Sequence, residues 1–356
     1  MRPRAAHTLL LACCSAIVLG ACGSGAASGV SGHDAGAPLA GAGASVASDA
    51  ADIVPATGAA AAGASCGTAA PEALAGAVGM VATRIYAGEL TGTETRSDQR
   101  QVESYAPLLN ALAGGSRTAV TSAVTTLVYS HTHVVRLRVT RAGTVLADVG
   151  GPYIIAPVSG SLRLHGRTVG HYVLSVQDDL GYVKLVTRFL GVPLMLRAGP
   201  SPVPVEGLLS PGPANVPDHG PVSYRGTSYE AFSFAARSFP GGPLRVSLLA
   251  PVSPSLASAS CAAIRSSELA HAAQLVSRRF ALTPANLPVY LKLVRSLTGG
   301  LLYARAGTRQ LAGSTRPGPG ALPRSGSVSY GGTRYEVGSF TVASSAGPLR
   351  VFQLTR

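Results

Sequence analysis

The chain repeats itself, and a repeat restricts the fold more than any other feature of this sequence. Cys66 to Ile85 aligns without gaps on Cys261 to Phe280, placing Leu74, Val81 and Arg84 on Leu269, Val276 and Arg279. Tyr182-Val-Lys-Leu-Val recurs as Tyr290-Leu-Lys-Leu-Val, and Leu196-Arg-Ala-Gly199 as Ala304-Arg-Ala-Gly307. Val222-Ser-Tyr-Arg-Gly-Thr-Ser-Tyr-Glu230 recurs as Val328-Ser-Tyr-Gly-Gly-Thr-Arg-Tyr-Glu336, and Gly242-Pro-Leu-Arg-Val246 as Gly347-Pro-Leu-Arg-Val351. Self-similarity of this kind marks one supersecondary unit built twice. The helix pair is offset by 195 residues and the later pairs by far less, so the second copy lacks most of what lies between its helix and its KLV segment. The stretch 131–179 therefore exists once. Residues kept in both copies (Lys184/Lys292, Tyr224/Tyr330, Tyr229/Tyr335, Glu230/Glu336, Arg245/Arg350) read as a shared packing unit, and function is sought in the unique stretch.

Two patterns predict the elements. Leu74, Val78, Val81 and Ile85 form one apolar helical stripe, and further helices are expected near 98–112 and 117–128. Val135, Leu137 and Val139 then alternate with Arg136 and Arg138, the period of a half-buried strand. Thr168–Val176 alternates likewise, with Val169, His171, Val173 and Ser175 on one face. Gln177 to Gly181 reads as a turn, with a strand resuming over Tyr182–Val186.

The motifs "RAGTVLADVGGPY" (141–153) and "GRTVGHYVLSVQDDLGYVKL" (166–185), preceded by amphipathic helices, resemble the Cache (PDC, PAS-like) extracytoplasmic sensor domains of bacterial histidine kinases and chemoreceptors. The resemblance spans about residues 72–199. It implies an α+β fold with N-terminal helices packed on an antiparallel PAS/Cache-like sheet, followed by a shortened repeat of the same unit. The expected domains are 66–251, sensor-like, and 252–356, the truncated repeat. Related sensors of small carboxylates carry cationic side chains inside the sheet pocket, a role that falls to Arg136 and Arg138; a planar guanidinium fork binds a carboxylate bidentately. Solvent-facing arginines on an amphipathic strand are the alternative. His171, Ser175 and Gln177 are either pocket lining or exposed polar residues. Tyr153 and Tyr182 either gate a pocket mouth or pack. Asp178 and Asp179 are expected to shape the turn.

The N-terminus reads as a targeting segment. Arg2 and Arg4 precede the apolar run Leu9–Leu19, which is too short to span a bilayer. Leu19-Gly20-Ala21-Cys22 resembles the lipobox of bacterial lipoproteins, which implies a signal peptide over 1–21 and acylation at Cys22. An ordinary secretory leader with a chance cysteine is the alternative. Residues 22–65 are almost wholly Ala, Gly, Ser, Val and Asp, the composition of a tether. Cys13 and Cys14 leave with the leader, so Cys66 and Cys261 remain in an oxidising compartment, where two thiols usually pair. The net charge of +13 favours anionic neighbours. Export argues against nucleic acid as the partner.

Catalysis finds no support. Gly63-Ala64-Ser65-Cys66-Gly67 fits a nucleophile elbow by letter, but low-complexity sequence precedes it where the elbow needs a strand. His131-Thr132-His133 has metal-like spacing but needs a converging third ligand (Asp148, His165 or His171), so neither metal nor cofactor is expected. The sequence thus predicts a non-enzymatic, lipid-anchored module on the extracytoplasmic face of the cell membrane. It would bind a small, anionic metabolite and act by contact through a membrane receptor or kinase partner. A ligand-free envelope scaffold is the alternative.

Overall fold

The computed structural model describes residues 66–130, 133–152, 154–198, 201–202, 213, 215–252, 259–278, 280–315 and 317–356. The leader, Cys22, the tether, His131 and Tyr153 lie outside them.

The described residues open with a short 3-10 turn (Gly67–Ala69) and then α1 (Ala70–Thr91), which Pro71 starts and Gly92 ends. Leu74, Val78, Val81 and Ile85 are buried, as the stripe predicts. Three helices follow: α2 (Thr93–Ser104), α3 (Ala106–Gly114) and α4 (Arg117–Ser130). Then come β1 (Arg136–Arg141), β2 (Thr144–Gly150), β3 (Ile154–Ile155), β4 (Val158–Leu164), β5 (Arg167–Ser175) and β6 (Gln177–Asp178). The chain continues through α5 (Asp179–Leu190), β7 (Leu194–Ala198), β8 (Ser201–Pro202), β9 (His219–Tyr224), β10 (Thr227–Ser238) and β11 (Gly242–Pro251). The last part holds α6 (Cys261–Ser277), α7 (Leu287–Thr298), β12 (Leu301–Ala306), β13 (Arg309–Gly313), β14 (Gly326–Tyr330), β15 (Thr333–Val342) and β16 (Leu349–Thr355).

The repeat is visible as topology. The second copy orders its antiparallel strands β13-β12-β16-β15-β14, and the first copy has the matching run β8-β7-β11-β10, with β9 pairing β10. Helices α1 and α6 correspond, as do α5 and α7. The α+β class is as expected: helices with three antiparallel sheets. Two residue pairs shared by the copies make equivalent packing contacts, while Lys184 and Lys292 are exposed. Tyr182 and Tyr290 are both buried. Tyr182 donates to the Ala82 carbonyl at 3.1 Å, and Tyr290 shares a short hydrogen bond with Ser277, the residue aligned with Ala82. Arg197 donates to the Pro213 carbonyl at 2.7 Å, and its counterpart Arg305 donates to that of Pro319.

One expectation is corrected. Tyr182–Val186 is not a strand but the middle of α5, and Gln177-Asp178 is the short strand β6 rather than part of a turn. Asp178 caps the helix by accepting from the Gly181 amide, and Gly191 closes it with φ +67°. The buried Tyr182, Val186 and Phe189 recur at helical spacing. Valines made the segment look extended, and burial on one helical face decided otherwise.

Residues 93–178 form an insert between α1 and α5 with its own sheet, ordered β2-β1-β5-β4, and its own core. Leu108, Leu112 and Leu127 from the helices meet Leu137, Val139 and Leu174 from the strands, all at most 1% exposed. Cys66 and Cys261 are disulfide-bonded with their Cα atoms 4.8 Å apart, which joins equivalent points at the starts of the two copies.

Candidate functional site

The insert's sheet has two chemically different faces. Facing partners on antiparallel strands share a side, and the register pairs Arg136 with Ser175, Arg138 with Val173, and Thr140 with His171. Arg138 also faces Asp148, and His171 faces Ser161. The alternation read from sequence therefore holds, with Arg136, Arg138, His171 and Ser175 on the face away from the helices. Leu137, Val139, Tyr172 and Leu174 fill the other face.

The two arginines are already engaged. Arg136 reaches Asp148 with Nε at 2.9 Å from Oδ1 and Nη2 at 3.1 Å from Oδ2. Arg138 donates to Oδ2 from Nε at 2.9 Å and from Nη2 at 2.7 Å. Arg136 also donates to the Gly151 carbonyl at 3.1 Å. Both guanidinium groups lie over Phe239, at 4.7 and 5.6 Å from the ring centre, in cation–π geometry. Phe239 belongs to the turn between β10 and β11, and its amide donates to the Ile154 carbonyl at 2.8 Å. The cluster thus joins the insert to the first copy's hairpin. Its arginine side chains are 24% and 26% exposed, turned neither to bulk water nor into a cavity. Burial works to raise the Asp148 pKa, but the hydrogen bonds and charges of both arginines overcome it and hold the carboxyl low. The carboxylate expected in the arginine fork is the chain's own.

This predicts a measurable contribution to stability. An exposed ion-pair cluster of this kind is worth about 1 kcal/mol. Asp148→Ala should lower the unfolding free energy in urea by about that amount at pH 7. The wild-type advantage should be present above the carboxyl's ordinary value of 3.8 and be lost as pH falls through its lowered folded value.

The other expected residues divide. His171 is exposed, with Nδ1 3.3 Å from Ser161 Oγ. Ser175 shares its face but is fully buried, donating to the Ile155 carbonyl and accepting from the Gln177 amide at 3.2 Å. Gln177 is buried, with Nε2 3.3 Å from the Asp178 carbonyl. Tyr182 sits in the interior on α5. Ser175, Gln177 and Tyr182 are thus committed to backbone groups.

The sequence did not single out the end of the same sheet. There the β1–β2 turn (Ala142, Gly143) and the β4–β5 turn (His165, Gly166) each place two residues at positive φ. With the C-terminal end of α3 they frame an open depression of about 600 Å³. Arg141, His165, Arg167 and His171 line it, and no carboxylate does. Arg141 is held in place by donating to the Leu112 carbonyl at 2.8 Å. Arg167 forms no ion pair among the described residues. The two turns meet because β1 and β5 pair side by side, which brings these cations together at one end of the sheet.

Acidic groups gather at the root of the insert instead. His133 Nδ1 lies 2.8 Å from Glu94 Oε1. Glu89, near the end of α1, is 4% exposed, and burial followed by the charge of Glu94 pushes its pKa up to about 7. Among the described residues no group of three or more His, Cys, Asp or Glu is placed to hold a metal ion, and no helix is long and apolar enough to cross a membrane.

No family model matches the chain, and no curated protein does. Two solved structures share features with it. The ligand-binding domain of the Pseudomonas fluorescens chemoreceptor CtaA, in complex with L-alanine, is 12% identical, with 48% of this chain and 92% of that one covered and a TM-score of 0.28. The periplasmic domain of Vibrio cholerae LuxQ is also 12% identical, with 80% and 97% covered and a TM-score of 0.15. At these scores the likeness carries no assignment, which rests on the chain's own geometry.

Proposed function

We propose that the chain is a non-enzymatic binding module on the extracytoplasmic face of the cell membrane, anchored by a lipid at Cys22. In this reading the tandem repeat is a stapled platform and the insert presents a basic surface to a small anionic metabolite. The bound state passes to a membrane receptor or kinase partner by contact. The observation that carries the reading is the open depression lined by two arginines and two histidines without a carboxylate. Arginine pairs with carboxylate or phosphate oxygens bidentately, and a concave, one-signed lining raises the local concentration of anions. The ligand role moves from the Arg136–Arg138 fork, which Asp148 fills, to Arg141, His165, Arg167 and His171.

Isothermal titration calorimetry with citrate and with inorganic phosphate tests this. Binding should weaken at least tenfold in an Arg141→Ala, Arg167→Ala double variant. Equal affinity in the double variant would overturn the assignment. A second reading, a ligand-free envelope scaffold, is favoured by one observation: the insert's interior is filled by its own side chains and its arginine fork by its own aspartate. Absence of heat with either probe would select it.

A further inference from the structure

The two copies can be compared position by position, and they differ where α1 and α6 meet their sheets. In the first copy Phe232 on β10 packs against α1 at Gly79, where a Cβ would come within 2.1 Å of the phenyl ring. His219 on β9 stacks edge-on against that ring with centres 5.0 Å apart. Asp218 beside it pairs with Arg245 at 2.6 Å. This helix–sheet junction is plugged by an aromatic pair, and Asp218 at its rim is matched by Arg245.

The second copy changes each of these residues. Phe232 becomes Gly338, His219 becomes Ser325, and Asp218 becomes Arg324. On the helix, Gly76 and Gly79 become His271 and Gln274, and Glu72 becomes Ser267. Only the acid is retained, as Glu230 and Glu336. The outcome is a groove of about 270 Å³ between α6 and strands β14–β15, lined by His271, Gln274, Arg324, Glu336 and Gly338 among others. Arg324 and Glu336 line one groove without pairing with each other or with any other charged group among the described residues. Gly338 is required for the helix contact, because a Cβ there would lie 2.7 Å from the Ser266 carbonyl oxygen. Loss of the plug, gain of polar walls and inversion of a rim charge act together, as they would in a site opened for a polar occupant.

We propose that this groove binds a small zwitterion, with its carboxylate on the Arg324 guanidinium and its ammonium on the Glu336 carboxylate. An unpaired cation and an unpaired anion in one concavity complement a molecule carrying both charges, and neither a simple anion nor a simple amine satisfies both. Gln274, Ser267 and Ser325 offer further hydrogen bonds, and the volume admits a molecule of a few heavy atoms. The site is separate from the insert's basic depression and does not depend on it.

Titration calorimetry on the full chain tests the proposal, with β-alanine as the zwitterion and propionate and propylamine as single-charge controls. β-Alanine should bind at least tenfold more tightly than either control. Arg324→Gln and Glu336→Gln should each weaken it at least tenfold, with the unliganded thermal midpoint unchanged because neither side chain is committed elsewhere. The Arg141→Ala, Arg167→Ala double variant should bind β-alanine as the wild type does. Binding of β-alanine no tighter than propionate or propylamine would overturn the proposal, as would full affinity in the Arg324→Gln variant.

Discussion

Reduction of the Cys66–Cys261 bridge should lower the unfolding free energy by about 5 kcal/mol, the largest single effect expected in this protein. The bridge closes a loop with a sequence separation of 195. In the chain-entropy model, the constraint on the unfolded state grows with the logarithm of loop length and reaches about 5 kcal/mol at this size. The two cysteines start the helices of equivalent units, where the Cys66 amide also donates to the Ala259 carbonyl at 2.8 Å. Reduction thus frees the unfolded chain while the α1–α6 packing stays in place. A Cys66→Ser, Cys261→Ser variant should fold, with its urea midpoint moved down and its slope little changed. An unchanged midpoint would mean that the bridge constrains nothing in the unfolded state.

The second large effect is on pH dependence. Glu89 is buried near the end of α1, and its pKa is pushed from 4.5 to about 7 by burial and then by Glu94. The folded state therefore holds a proton that the unfolded state gives up between these two values. The contribution is fully present below 4.5 and is lost as pH rises through about 7, amounting to about 3 kcal/mol across the window. Asp179, also 4% exposed and raised to about 7 by burial and by Asp178, acts in the same direction. Glu89→Gln should thus be more stable than wild type at pH 8, by up to about 3 kcal/mol, and nearly equal to it at pH 4. Urea melts at both pH values check this. A difference independent of pH would show that Glu89 does not hold its proton in the folded state.

What the sequence disclosed follows from what is local. The repeat shows because matching residues such as Val81 and Val276 are both fully buried, and packing of one unit against its neighbour keeps such positions apolar. The face shared by Arg136, Arg138, His171 and Ser175 shows because strand alternation has a strict period of two. The identity of α5 is not local: Val183, Lys184, Leu185 and Val186 suit a strand, while the cap at Asp178 and the helical stripe through Phe189 decide the outcome. Two things could not be read at all. That Asp148 occupies the arginine fork depends on the register of β2 against β1, and the basic depression depends on two separate turns meeting at one end of the sheet. The groove at Gly338 was legible only as a substitution within the repeat, where Phe232 has no aromatic counterpart; the structure gives that absence its shape.

The central claim is that anion recognition belongs to the insert and occurs at its turn end. Hydrogen–deuterium exchange followed by mass spectrometry, with and without saturating citrate, locates binding directly. Slowed exchange should be confined to peptides covering 141–143 and 164–171, with peptides across β10 and β11 unaffected. Protection spread over the repeats, or none in those two turns, would contradict it.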